Sequence, residues 1–289
     1  MNGFLIIDKP EGITSAKCVY KLRSKLGTKK IGHCGTLDPL ATGLLPVCVG
    51  EATKYSNYAS NLDKVYEVGI QFGVETDTGD ITGQIVSKTQ FNGFRENFDQ
   101  SIQGLIGIHN QIPPMYSAIK INGNPLYYWA RKGVYLYREP RKIVIKEIEL
   151  IKKSKNTAVL KVACSKGTYI RSLVEKLGRD LGSCATMISL RRLKVGELVL
   201  DKESCSLDET QDSLIRKFLP CDAMLGGMDK IELNSEDTKK VRNGVSIDYN
   251  AQLKNKGLVR IYTEKELFIG IGEVDRGNKL LPKRLLSTN

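Results

Sequence analysis

The sequence predicts an α+β fold: a mixed, mainly antiparallel sheet with flanking helices, followed by a small β-rich C-terminal module. Short runs of alternating apolar and polar residues recur along the chain, separated by turn residues. Helical stretches are interleaved with them rather than grouped apart. A break in character at Gly226-Gly227 separates residues 1–228 from a strand-rich tail, residues 229–289.

Gly3 to Ile7 reads as a strand that runs into the turn Asp8-Lys9-Pro10-Glu11-Gly12. Thr14 or Ser15 caps a helix whose apolar positions Val19, Leu22 and Leu26 follow helical spacing, and Gly27 closes it. A turn-rich stretch from Gly32 to Pro39 precedes the apolar run Leu44–Val49. Val65 to Phe72 alternates as a strand does, with Tyr66, Val68, Ile70 and Phe72 on one face. The polar turn Thr76 to Asp80 leads to a strand at Gln84–Val86. Helix is expected over Phe94–Leu105, loop at Gln111-Ile112-Pro113-Pro114, strands over Ile143–Lys152 and Thr157–Ala163, and helix over Thr168–Leu181, stopped by Gly182. Ser206 and Glu209 form a capping box for a helix ending near Leu219-Pro220. In the tail, a strand at Lys230–Leu233, a short helix from Ser235 and three strand-like runs near Leu258, Phe268 and Leu280 suit a small β-barrel-like unit.

Composition narrows the function classes. Apolar residues make up 41% and charged residues 26%, the range of a soluble globular protein. No apolar run reaches the roughly 20 residues that span a bilayer, and Asp8 interrupts the apolar start where a signal peptide would continue, so a cytoplasmic protein is expected. None of the seven cysteines stands in a Cys-x-x-Cys pair, and His33 and His109 are the only histidines, so neither a metal nor a cofactor is expected. Lys and Arg number 44 against 32 Asp and Glu, a net charge of +12 that favours a polyanionic partner. The surplus is shared between both parts of the chain.

The stretch richest in chemistry is Gly32-His33-Cys34-Gly35-Thr36-Leu37-Asp38-Pro39-Leu40-Ala41-Thr42-Gly43-Leu44-Leu45-Pro46. Its glycines and prolines describe a shaped loop holding one imidazole and one carboxylate. Pro39 pushes Asp38 toward extended geometry, which projects the carboxylate. Read from the residues alone, Asp38 is either a turn aspartate or a reactive one, and His33 either a packed, hydrogen-bonded ring or a contact to ligand.

This stretch resembles the catalytic motif of the TruB-type bacterial tRNA pseudouridine synthases, Gly-His-x-Gly-x-Leu-Asp-Pro-x-Ala-x-Gly-x-Leu. Further family-like stretches follow in order: Asp8-Lys9-Pro10, Lys64-Val65-Tyr66, Thr76-Asp77-Thr78 with Asp80, Ile112-Pro113-Pro114-Met115-Tyr116-Ser117-Ala118, Cys164 to Arg171, and Leu190-Arg191-Arg192. Together they cover nearly the whole chain. The resemblance implies isomerisation of uridine 55 in the T-loop of tRNA to pseudouridine. It implies Asp38 as nucleophile, Tyr66 as the ring stacked on the target base and a participant in removing the C5 proton, and Arg171 as partner of both Asp38 and Asp80. Tyr169 and Leu190 would wall the uracil pocket, His33 would support the RNA where the base has left its stack, and Lys9 would be scaffold beneath the loop. The tail is similar to a PUA domain.

The chemistry asks for these residue types. Isomerisation breaks N1–C1′ and joins C5 to C1′ with no group or electron gained, so no cofactor is required. An ionised carboxylate can hold the intermediate by covalent attack or by assisting loss of a ribose proton. A buried carboxylate tends to take up a proton, and a guanidinium beside it opposes that. The target atoms are hidden in a folded loop, so the nucleotide must be extruded. Between Pro113 and Lys142 lie Lys120, Arg131, Lys132, Arg138, Arg141 and Lys142, interleaved with Tyr116, Tyr127, Tyr128, Trp129, Tyr135 and Tyr137. Such a mixture suits looped RNA, while Tyr128 and Trp129 equally suit the core side of a helix over Pro125–Lys132. By resemblance the insertion, about residues 109–142, is a clamp on the T-loop and T-stem of tRNA. The expectation is a monomer with no membrane association and no obligatory protein partner. An RNA chaperone without chemistry, a guide-RNA-dependent relative and a metal-dependent nuclease are the competing readings.

Overall fold

Two sheets organise the chain. The structure is a computed structural model, and residues 1–94, 97–249 and 257–287 are described. The larger sheet has nine strands: β1 (Gly3–Lys9), β2 (Ile31–His33), β3 (Thr42–Val49), β4 (Lys64–Phe72), β5 (Gly107–Gln111), β6 (Arg141–Ser154), β7 (Thr157–Cys164), β8 (Ala185–Val195) and β9 (Leu198–Val199). Across it the order is β1-β3-β8-β4-β7-β6-β5, with β2 added to β3 and β9 to β8. Only the short β3–β8 contact is parallel. The expected mixed, mainly antiparallel architecture is therefore the one observed.

Strand β4 sits at the middle because its alternation lets it bury one complete face: Tyr66, Val68, Ile70 and Phe72 are all buried. Helix α1 (Ser15–Leu26) closes one side with Cys18, Val19, Leu22 and Leu26 turned inward, capped by the Thr14 side chain and ended by Gly27 in the left-handed conformation (φ 62°). Helix α2 (Ile170–Asp180) contributes Ile170, Leu173, Val174 and Leu177 to the same core.

Several elements depart from the sequence expectation. Strand β8, between β3 and β4, was not expected at all. Its register slips between Met187 and Ser189 and again between Arg192 and Lys194, so the period-two signature is broken twice within eleven residues. Strand β5 forms the sheet edge and includes Gln111, which the expected loop contained. The pairing of Ser206 and Glu209 is present, with the Ser206 amide donating to Glu209 Oε1 at 2.8 Å. It closes a turn, and the helix that follows spans only Gln211–Arg216 with Thr210 as its cap. The helix expected over Phe94–Leu105 is Asn97–Gln103; residues 95 and 96 of that expectation lie outside the described residues.

The smaller sheet comprises β10 (Asp229–Leu233), β11 (Ile247–Asp248), β12 (Gly257–Thr263), β13 (Phe268–Val274) and β14 (Lys279–Leu285), in the order β10-β12-β13-β14-β11. Its core is its own, except that Ile271 joins Phe4, Leu44, Cys48, Tyr55 and Val195 in a cluster between the two sheets. Glu51 ties the same junction from outside, paired with Lys30 and Lys54 and accepting from the Ser287 amide at 2.8 Å. All seven cysteines are free and buried. No helix among the described residues is long and apolar enough to cross a membrane.

Candidate active site

The Gly35–Asp38 loop leaves β2 and is held from below before any side chain reaches the cleft. Ser15 at the start of α1 accepts from the Leu37 amide (2.9 Å) and donates to the Leu37 carbonyl (3.1 Å). The Gly12 amide donates to Pro39 O at 2.8 Å. Lys9 is wholly buried, and its ammonium donates to the carbonyls of Pro10 (2.8 Å), Ile13 (2.7 Å) and Pro39 (3.3 Å). Burial lowers the basicity of Lys9, and the three carbonyls account for every proton it can donate. Lys9 thus lies beneath the loop.

Asp38 opens onto a cleft of about 320 Å³, within the size range of small-ligand sites. Tyr66, Tyr169 and Arg171 line the same cleft. Arg171, on the first turn of α2 and only 4% exposed, meets Asp38 Oδ2 with Nη2 at 3.0 Å. The rest of its fork is fixed by main chain: Nη2 donates to Tyr116 O (2.7 Å) and Nη1 to Thr78 O (2.8 Å). Tyr169 caps α2 and is gripped by Gln111, whose amide oxygen accepts from its N–H (2.8 Å) and whose amide nitrogen donates to its carbonyl (3.0 Å). Burial pushes both tyrosine phenols up.

The expected bridge from Arg171 to Asp80 is not formed, and no ion pair joins them among the described residues. Thr78 O occupies the Nη1 side of the fork. The Asp80 carboxylate is engaged within its own turn by Thr78 Oγ1 and the Thr82 amide, each at 3.0 Å, and by the Thr82 hydroxyl. Its charge still reaches Asp38. Burial raises Asp38 above its ordinary value, Arg171 pulls it down, Asp80 adds to the rise and Lys9 opposes it. About a third of the Asp38 side chain remains exposed, on the open side of the cleft.

Leu190 and His33 do not line the cleft. Leu190 pairs with Val68, one pleat before Arg192 on β8, which pairs with Tyr66. That step carries Leu190 into the core and gives Arg192 the place beside the tyrosine. His33 ends β2 half-buried, with Nδ1 out of solvent and without a partner, and burial and Arg192 lower its basicity. The cleft also contains Lys64, Ser117, Thr168 and Arg192, to which no role was given from sequence. A signal existed for all four, since Lys64, Ser117, Thr168 and Arg192 each stand in one of the family-like stretches. In the insertion, Trp129 turns inward and donates from Nε1 to Ile121 O (3.4 Å), whereas Tyr128 faces out with the Lys132 ammonium 4.3 Å above its ring.

Comparison with known proteins identifies the family. The family described as TruB family pseudouridylate synthase (N terminal domain) matches residues 23–170, and that described as Pseudouridine synthase II TruB, C-terminal, matches residues 230–286. A protein of Dechloromonas aromatica named tRNA pseudouridine synthase B is 42% identical over 289 residues, covering 99% of this chain and 96% of its own. One of the same name from Blochmanniella pennsylvanica is 45% identical over 240 residues, 81% of this chain and 92% of its own. Among solved structures, an H/ACA RNP bound to a substrate RNA containing 2′-deoxyuridine superposes with a TM-score of 0.77 at 20% identity, over 99% of this chain and 85% of that one, a likeness of fold. Fold and family together define an RNA pseudouridine synthase, an isomerase. Within that class the chain belongs to the TruB family.

Proposed function

We propose that this chain converts uridine 55 in the T-loop of tRNA to pseudouridine by extruding the base into the Asp38 cleft. The single observation that carries the reading is the Asp38–Arg171 ion pair (3.0 Å) on the floor of an open cleft walled by Tyr66 and Tyr169. Relatives covering almost the whole chain are named tRNA pseudouridine synthase B, which supports tRNA as the substrate.

In this reading Asp38 attacks the ribose or assists loss of its proton, and Arg171 holds the carboxylate in place and favours its charge. Tyr66 stacks on the uracil, Tyr169 forms the opposite wall, and Asp80 sets the local potential. Lys9 supports the loop from beneath. His33, half-buried at the end of β2, contacts the RNA where the base has left. Leu190 backs Tyr66 from within the core. Residues 1–228 carry catalysis, the insertion at about 109–142 clamps the T-loop and T-stem with outward aromatics such as Tyr135 and Tyr137, and residues 229–289 bind RNA as a PUA-like module. The enzyme works as a cytoplasmic monomer without cofactor, metal or protein partner.

Incubating the purified chain with a T-arm minihelix and mapping pseudouridine tests this directly. Wild-type protein alone should modify the minihelix, and Asp38→Asn should bind it with comparable affinity yet leave it unmodified. Normal modification by Asp38→Asn would remove the nucleophile assignment. A requirement for a second protein or a guide RNA would remove the stand-alone reading.

A further inference from the structure

Among the described residues Arg192 is the largest fully buried side chain, 1% exposed, and no carboxylate pairs with it. The neighbouring Arg191 is half-exposed and takes Asp8. A buried cation is normally neutralised by an anion. Here two main-chain carbonyls hold the guanidinium: Nε donates to Leu44 O at 2.6 Å and Nη2 to Gly35 O at 3.1 Å. Those two carbonyls fix its plane between β3 and the loop that carries Asp38. On β8 it stands directly opposite Tyr66 of β4, and both line the cleft. Its charge is felt around the site, for it lowers the basicity of His33 and Lys64 and opposes the rise of the Tyr66 phenol, which lies within hydrogen-bonding reach.

A guanidinium can only donate. Where it meets Tyr66, the phenolic oxygen must accept, and the phenol proton is left to point away from Arg192, toward the cleft. We infer that Arg192 is a positioning residue that aims the Tyr66 hydroxyl, backed by an unneutralised positive charge, at the uracil while it is detached from its ribose. This rests on the synthase reading above. When N1–C1′ breaks, its electron pair stays on N1 and the base is an anion spread over N1 and its carbonyl oxygens. The turned base then bonds C5 to C1′ and Asp38 is released. The proton lost from C5 passes to solvent water at the open side of the cleft and N1 takes one up from it, so no net proton is gained or lost. Only the detached anion gains from a donor with a cation behind it, so the arrangement stabilises the intermediate over bound uridine. Tyr66 keeps its own proton throughout.

The test is a cycle of Arg192→Lys, Tyr66→Phe and the double variant, read by single-turnover pseudouridine formation and by tRNA binding. Arg192→Lys should slow the chemical step about 10²-fold with tRNA affinity nearly unchanged, and add little when Tyr66→Phe is already present. Equal losses in both backgrounds, or a loss confined to tRNA binding, would overturn the inference. A second measurement needs no turnover. Free uracil binding to the complex with a T-arm RNA abasic at the target should strengthen as pH rises and the anion forms, and in folded Arg192→Gln protein, which lacks the charge, this strengthening should vanish. Its persistence would equally refute the role. Failure of either test leaves the Asp38→Asn result untouched, so the two readings fall separately.

Discussion

Asp38 illustrates how a reactive group is tuned by its neighbours one at a time. Burial raises its pKa, Arg171 lowers it and Asp80 raises it. A carboxylate must be ionised to act as nucleophile, so activity should fall with acidification around a midpoint above the roughly 3.9 of a free aspartate. Arg171→Lys keeps the charge but lacks the fork that spans Asp38 and two carbonyls. It should move the acid limb of the pH–rate profile upward and slow the reaction about 10²-fold at neutral pH through misplacement. Asp80→Asn removes a like charge while keeping an acceptor oxygen, and should move the same limb downward. Parallel shifts in the two variants would show that neither residue acts on Asp38 electrostatically. At this scale the family resemblance singled out Asp38, Tyr66, Tyr169 and Arg171, and all four line one cleft. It was least legible where main chain competes for a side chain. Nothing in the order of residues reveals that Thr78 O takes the Nη1 side of Arg171, or that Asp80 satisfies itself within its own turn.

Elements position these residues through close contacts that tolerate little change. Helix α2 delivers Tyr169 and Arg171 to the cleft because its last turn lies close on the start of β8. A Cβ at Gly178 would come within 2.6 Å of the Ala185 amide nitrogen and 2.8 Å of the Cys184 carbonyl carbon, both backbone atoms that cannot swing aside. Gly178→Ala should therefore destabilise the fold by about 1–3 kcal/mol, despite the better helix propensity of alanine. Chemical denaturation should show a lower midpoint, and the chemical step should slow as Arg171 shifts. An unchanged midpoint would mean that the helix can lift at no cost. Alternation and capping revealed β4, α1 and most of the sheet because those elements face solvent on one side only. Strand β8 is flanked by β3 and β4 and carries two register slips, so its apolar positions follow neither a period of two nor of 3.6. The most central unexpected strand is thus also the one that brings Arg192 to the site.

For the molecule as a whole, the junction between the two sheets decides whether the tail is an independent bead or part of one body. The shared cluster around Ile271 and the Glu51 clasp favour one body. Lys30, Lys54 and the Ser287 amide hold the Glu51 carboxyl well below the ordinary glutamate range. A depressed acid stabilises the fold above its unfolded pKa and loses that contribution as pH falls through the folded value. Glu51→Gln should accordingly cost about 1–3 kcal/mol at pH 7. The gap between mutant and wild-type melting curves should narrow once the pH drops below about 4. A gap that is constant across pH would assign the loss to packing rather than charge. The longer strands of the smaller sheet were legible in the alternation of the tail. The seam between the sheets was not, because Glu51 and Ser287 lie 236 residues apart and share no local pattern.

With every thiol of the chain inside the core, none is left on the surface to react with a maleimide. A single cysteine introduced at Tyr135, which is 76% exposed on the insertion, can thus carry one fluorophore on the otherwise unaltered native sequence. Its emission would then report in real time when that arm meets tRNA and when it lets go.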